Sequence, residues 1–130
     1  MAPDARTDLQ GSLQAELMQI VWRLGEATVD DVRAEQPPRR RSAYTTAQTV
    51  MNRLVDRGLL ARTRRGRAFV YRARLAESEL VARSLRERLE RVSDDNRRAA
   101  LLNLVDGLKA DELDEVARYA NRIRRERKQQ

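Results

Sequence analysis

A chain of 130 residues with 41% apolar content allows one domain or two very small ones, with a modest core. Its 27 Lys+Arg against 20 Asp+Glu leave a formal net charge of +7, which points to a polyanionic partner, nucleic acid first. Cys and His are absent, which excludes thiolate and imidazole chemistry, Cys/His zinc sites and disulfides.

No apolar leader and no run of about 18–20 apolar residues occurs, so a cytoplasmic protein without a membrane span is expected. All basic residues except Lys109 and Lys128 are arginine, whose guanidinium suits bidentate phosphate and base contacts. Residues 1–8 are polar and read as a mobile tail. Leu13, Leu17, Ile20, Val21 and Leu24 then recur at helical spacing until Gly25, predicting a helix over about 10–24 with Trp22 in the core. Thr28-Val-Asp-Asp31 is a capping-box variant opening a short second helix to about Glu35, with Val29, Val32 and Ala34 inward. Pro37 and Pro38 break it.

A third helix is predicted from about Thr45 to Arg57, ended by Gly58. At 100° per residue, Ala47, Val50, Met51, Leu54 and Val55 share one face, and Thr45, Thr49, Asn52, Arg53 and Asp56 share the other. Three threonines here lower helix propensity. They offer a readable surface instead, since a hydroxyl donates and accepts and a methyl can lie against thymine. Thr45 is also a candidate N-cap. Leu60–Arg64 and Arg67–Arg72 read with period 2, as two strands joined at Arg65-Gly66. Helix, helix, helix and basic hairpin is the order of a winged helix-turn-helix over 9–73. The candidate groove or base contacts are Tyr44, Thr45, Thr46, Gln48, Thr49 and Arg53. The candidate phosphate or minor-groove contacts in the wing are Arg64, Arg65 and Arg67.

Residues 74–130 read as helical throughout. One stripe holds Leu80, Val81, Leu85, Leu89 and Val92. A second helix, capped by Asp94 or Asp95, bears Leu101, Leu102, Val105 and Leu108. A third, opened by Asp111, bears Leu113, Val116, Ala117, Ala120 and Ile123. Three helices in this length bury little surface alone, so Leu80, Val81, Leu85, Leu89, Leu101, Leu102, Val105, Leu113, Val116, Ala120 and Ile123 are expected to pack on a second copy. The fold expected is mainly α, a winged helix-turn-helix of three helices and a two-stranded wing followed by a three-helix dimerisation region.

Leu13 to Trp22, Ala27-Thr-Val-Asp-Asp-Val32, the run Ser42 to Leu60 and Gly66-Arg-Ala-Phe-Val-Tyr71 closely resemble the penicillinase-repressor (BlaI/MecI/CopY) family. The resemblance spans about residues 9–125, and is most specific in the first half. It implies a homodimeric repressor on operator dyads with TACA/TGTA-like half-sites, the start of the third helix entering the major groove with Tyr44, Thr45, Thr46, Gln48 and Thr49. It also implies, for antibiotic-responsive members, a membrane sensor-protease pathway leading to cleavage of an Asn-Phe bond. The corresponding bond here is Asn103–Leu104, where Leu replaces Phe; cleavage there, or packing of Leu104 in a dimer core, are the two readings. Copper-responsive relatives carry a Cys-x-Cys pair that is missing here. No cofactor or metal is expected.

Two other readings compete. A MarR-like regulator would carry dimerisation helices on both sides of the winged helix, and only about eight polar residues precede the first helix. A winged helix used for protein–protein contact would have little reason for exposed Thr and Gln beside an Arg-tipped wing. An enzyme is disfavoured, because Asp94-Asp95 and Asp111-Glu112 sit at helix starts, where capping explains them, and no nucleophile–base arrangement occurs.

Overall fold

The computed structural model describes residues 12–130; the proposed tail over 1–8 lies outside them. The elements are α1 (Ser12–Leu24), β1 (Glu26–Ala27), α2 (Val29–Glu35), a 3-10 turn (Pro38–Arg40), α3 (Tyr44–Asp56), β2 (Leu60–Arg65), β3 (Ala68–Ala73), α4 (Glu77–Glu90), α5 (Asp94–Asp106) and α6 (Ala110–Lys128). They fall into two compact units divided within α4, one ending at Arg86 and the other running from Glu87 to Gln130. Among the described residues, no helix is long and apolar enough to cross a membrane.

In the first unit, the apolar stripes of α1, α2 and α3 close on one another and on the sheet. Leu17, Met18, Val21, Val32, Met51, Leu54 and Leu60 are fully or almost fully buried. Trp22 packs at the edge of this cluster, its indole Nε1 donating to the Leu75 carbonyl at 3.0 Å. Ala34, read as inward, is exposed; a seven-residue helix offers too narrow a stripe to bury a third position. Leu80, read as part of a dimerisation face, is only 4% exposed and belongs to this core. Periodicity marks an apolar face but not the surface that covers it.

The wing is the β2–β3 hairpin, and β1 adds a third antiparallel strand to it, in the order β1-β3-β2. Glu26 and Ala27 pair with Arg72 and Tyr71, a strand too short to show a period in sequence. The β2–β3 turn is Gly66-Arg67, since Arg65 opposes Ala68. Gly66 has φ +67, and among the described residues no non-glycine has positive φ, which are the signs of a type II′ turn with Gly first.

Helix ends differ from expectation in detail. Thr28 and Asp31 form the capping box of α2, the Thr28 hydroxyl accepting from Asp31 N at 3.1 Å and the Asp31 carboxylate from Thr28 N at 3.0 Å. The N-cap of α3 is Ala43, not Thr45, and no side chain caps it. The C-terminus of α3 closes as a Schellman motif, with Gly58 N donating to Val55 O and Leu59 N to Leu54 O, and Gly58 at φ +78. Ser93 caps α5, accepting from Asn96 N at 3.2 Å, and Asp94 and Asp95 occupy its first turn instead. α6 begins at Ala110 rather than Asp111, and Glu112 accepts from Lys109 N at 2.9 Å. Val92 lies beyond the end of α4.

In the second unit, α5 and α6 do not pack along one another, and neither buries a residue. Leu101, Leu102, Leu104, Val105, Leu113, Val116 and Tyr119 are all exposed, Leu102 by 64%. A shallow groove of about 400 Å³ runs beside the α6 stripe, with Leu108, Val116, Ala120 and Ile123 in its wall.

Candidate nucleic-acid interface

The presentation of α3 begins in the segment before it. Gln36 is 1% exposed, and its carboxamide organises the α2–α3 connection. Oε1 accepts from Ser42 N at 3.0 Å, and Nε2 donates to Ser42 Oγ and Glu16 Oε2, each at 3.0 Å. Arg33 Nε donates to the Ser42 carbonyl at 3.0 Å. Arg41 is not a loose cation. Its guanidinium closes the end of α2, donating to the carbonyls of Arg33 at 2.8 Å and of Ala34 and Gln36 at 3.4 Å, where a cation complements the helix dipole.

Fixed at Ser42, the chain enters α3 with Tyr44, Thr45 and Thr46 exposed in its first turn. Ala47 N makes the first helical bond, to Ala43 O at 3.0 Å. The amides ahead of it, without a side-chain cap, are available to an anion. Thr49 and Arg53 continue the exposed face and Gln48 is half-buried on its flank. The threonines are therefore absent from the core, as their register requires.

The wing carries Arg64, Arg65 and Arg67, all exposed. Arg65 Nη1 pairs with Glu26 Oε1 at 3.0 Å across the sheet. Arg64 Nε donates to Gly66 O at 3.3 Å, bracing the turn. Phe69 carries Arg62 over its ring at 4.4 Å and Arg64 at 5.9 Å. Between wing and helix lies a node that sequence reasoning missed. Asn52 of α3, read only as part of an exposed face, accepts on Oδ1 from the Tyr71 hydroxyl at 2.8 Å and from Arg62 Nη1 at 2.7 Å. Burial raises the Tyr71 phenol above its ordinary value, with Arg62 opposing, so the hydroxyl keeps its proton at neutral pH and donates. One residue from each of α3, β2 and β3 thus sets the wing against the exposed face of α3. Among the described residues, no cluster of three or more acidic side chains is placed to hold a metal ion.

Residues 10–122 match the family described as Penicillinase repressor. The chain is 36% identical over 110 residues to "Transcriptional regulator BlaI" of Mycobacterium tuberculosis, covering 83% of this chain and 80% of that protein. It is 26% identical over 105 residues to "Penicillinase repressor" of Bacillus licheniformis, covering 79% and 82%. A solution structure of the Bacillus licheniformis BlaI monomeric form in complex with the blaP half-operator aligns with 56% of this chain and 89% of that one, at 26% identity and a TM-score of 0.47. The family match decides against the MarR-like alternative. The chain belongs to the penicillinase-repressor family of transcriptional regulators, which are DNA-binding repressors and not enzymes.

Proposed function

We propose that this repressor binds an operator dyad as a homodimer and excludes polymerase from the promoter beneath it. The observation that carries the reading is the exposed polar face of α3, with Tyr44, Thr45, Thr46, Thr49 and Arg53 presented clear of the core and Gln48 beside them. These six contact the major groove, where Thr methyls meet thymine methyls and Gln48 pairs with adenine. Arg64, Arg65 and Arg67 hold the backbone or adjacent minor groove; Arg65 exchanges Glu26 for phosphate on binding. Half-sites of the TACA/TGTA type lie about one helical turn, ~10 bp, or a multiple apart.

The functional division is a winged helix over 9–73 and a dimerisation region over 74–130. Dimerisation is supported by the uncovered apolar side chains of the second unit. Leu101, Leu102, Val105, Leu113, Val116, Ala120 and Ile123 form the contact, joined by Val81, Leu85 and Leu89 of α4, whereas Leu80 is already committed to the first unit's core. An apolar surface of this kind is the mark of an association site. Asn103–Leu104 lies inside α5, with its carbonyls accepting from Gly107 N at 3.3 and 3.2 Å. Leu104 is 52% exposed and packs in the dimer. Release through a membrane sensor-protease pathway requires that turn of α5 to unwind for cleavage. The repressor acts in the cytoplasm, on the nucleoid when operator-bound.

The test is selection of duplexes from a random pool at ~150 mM salt, with sedimentation equilibrium on the same preparation. A two-fold dyad bound by two chains is the expected result. Salt-sensitive binding with no enriched sequence overturns the reading.

A further inference from the structure

The carboxamide of Asn52 has a fixed orientation. Arg62 has five N–H donors and no acceptor, so the Asn52 atom facing it at 2.7 Å is oxygen. The same oxygen takes the Tyr71 hydroxyl at 2.8 Å. Both lone pairs of Oδ1 are therefore occupied, and Nδ2, with its two N–H groups, is turned the other way. No buried polar side-chain atom among the described residues lacks a partner, and Nδ2 has no partner among those residues, so it is not fully buried and retains access to solvent. Asn52 stands one turn beyond Thr49 on the same side of α3, between the threonine face and the strand that carries Arg62 and Arg64.

We infer that Asn52 is a phosphate-binding residue, its Nδ2 amide donating to a DNA phosphodiester oxygen between the groove read by Thr45 and Thr49 and the backbone held by the wing. The assignment rests on α3 being the DNA-facing helix. A pre-aimed donor suits this partner, because phosphodiester oxygens are acceptors only and a bond to a charged acceptor is stronger than a neutral one. Arg62 and Tyr71 are positioning residues. Tyr71 is fully buried, and Arg62, stacked over Phe69 at 4.4 Å, is engaged in holding the amide rather than in reaching DNA itself. The carboxamide thus pays no ordering entropy on binding.

Asn52→Asp is isosteric and keeps an acceptor for both Tyr71 and Arg62 while removing the donor. The expected result is an unchanged or raised unfolding temperature, the same preferred sequence, and affinity lowered about tenfold or more for the selected operator and an unrelated duplex alike. A second measurement uses Asn52→Ala and operators with single methylphosphonate replacements. One phosphate in each half-site should weaken wild type when replaced and leave Asn52→Ala unaffected. Undiminished binding by Asn52→Asp, or a scan in which both proteins respond alike at every phosphate, overturns the assignment. A loss confined to one base pair overturns it too, placing the amide on a base edge. If wild type itself enriches no sequence, it is the DNA-facing reading of α3 that fails, not the Asn52 assignment alone.

Discussion

Replacing Gln36 with Met isolates the polar contribution of the α2–α3 connection, because the side chains are close in length and only the carboxamide is lost. Gln36 is 1% exposed and makes three bonds of 3.0 Å. Glu16 keeps Arg40 at 3.5 Å, and the half-exposed Ser42 hydroxyl can turn to water, so neither dominates the cost. Ser42 N loses its acceptor. An amide left without a partner in a partly buried site costs about 1–3 kcal/mol, only partly offset by the apolar thioether. For a unit of this size, the midpoint should fall by about 4–8 °C per kcal/mol. Trp22 is the chain's one tryptophan and packs on the first unit's core, so its fluorescence during heating follows that unit. Operator affinity should fall as well, since Ser42 no longer fixes the entry to α3. A midpoint within ~1 °C of wild type would refute the assignment of the carboxamide as the organiser of this turn.

Glu26→Gln should strengthen binding to every duplex by a few-fold, because Arg65 no longer has to leave a carboxylate; Arg65→Ala should weaken binding to all sequences and flatten the salt dependence by about one unit. Filter binding at several salt concentrations checks both, and an effect confined to one sequence would contradict a backbone role. Leu102→Glu, on the uncovered face of α5, should shift sedimentation to monomer with the thermal transition of the first unit kept; an unchanged dimer would remove α5 from the contact. Tyr71 has a folded pKa raised above the unfolded phenol by burial, so its contribution to stability is full below about pH 10 and lost as pH rises through the raised value. Denaturation midpoints should hold to about pH 10 and fall above it for wild type, and fall less for Tyr71→Phe.

Local sequence rules found what local physics determines. The stripes of α1 and α3, the Thr28–Asp31 box and the Gly58 stop each depend on residues within one or two turns, and each lies where the spacing puts it except Leu24, which is exposed at the end of α1. The threonines were informative because a residue unfavourable to a helix, recurring on its polar face, has to have another reason to be there. What stayed hidden was made by contacts through space. β1 exists because β3 pairs with it, and Gln36, Asn52 and Arg41 matter through partners brought near by the fold. Gln36 left one trace, a glutamine immediately before two prolines. Leu80 shows the same limit from the other side. Its spacing joins it to Leu85 and Leu89, yet it is buried under its own first unit while Leu85 is 44% exposed.

The proposed division of labour has the exposed face of α3 reading base sequence while the wing holds the backbone. It is tested most directly by measuring wild type and Thr49→Ala against the selected operator and every single base-pair variant of it. Thr49→Ala should fold normally and lose about 1–3 kcal/mol of discrimination at one position in each half-site, with the others unchanged. Discrimination retained at every position would contradict it.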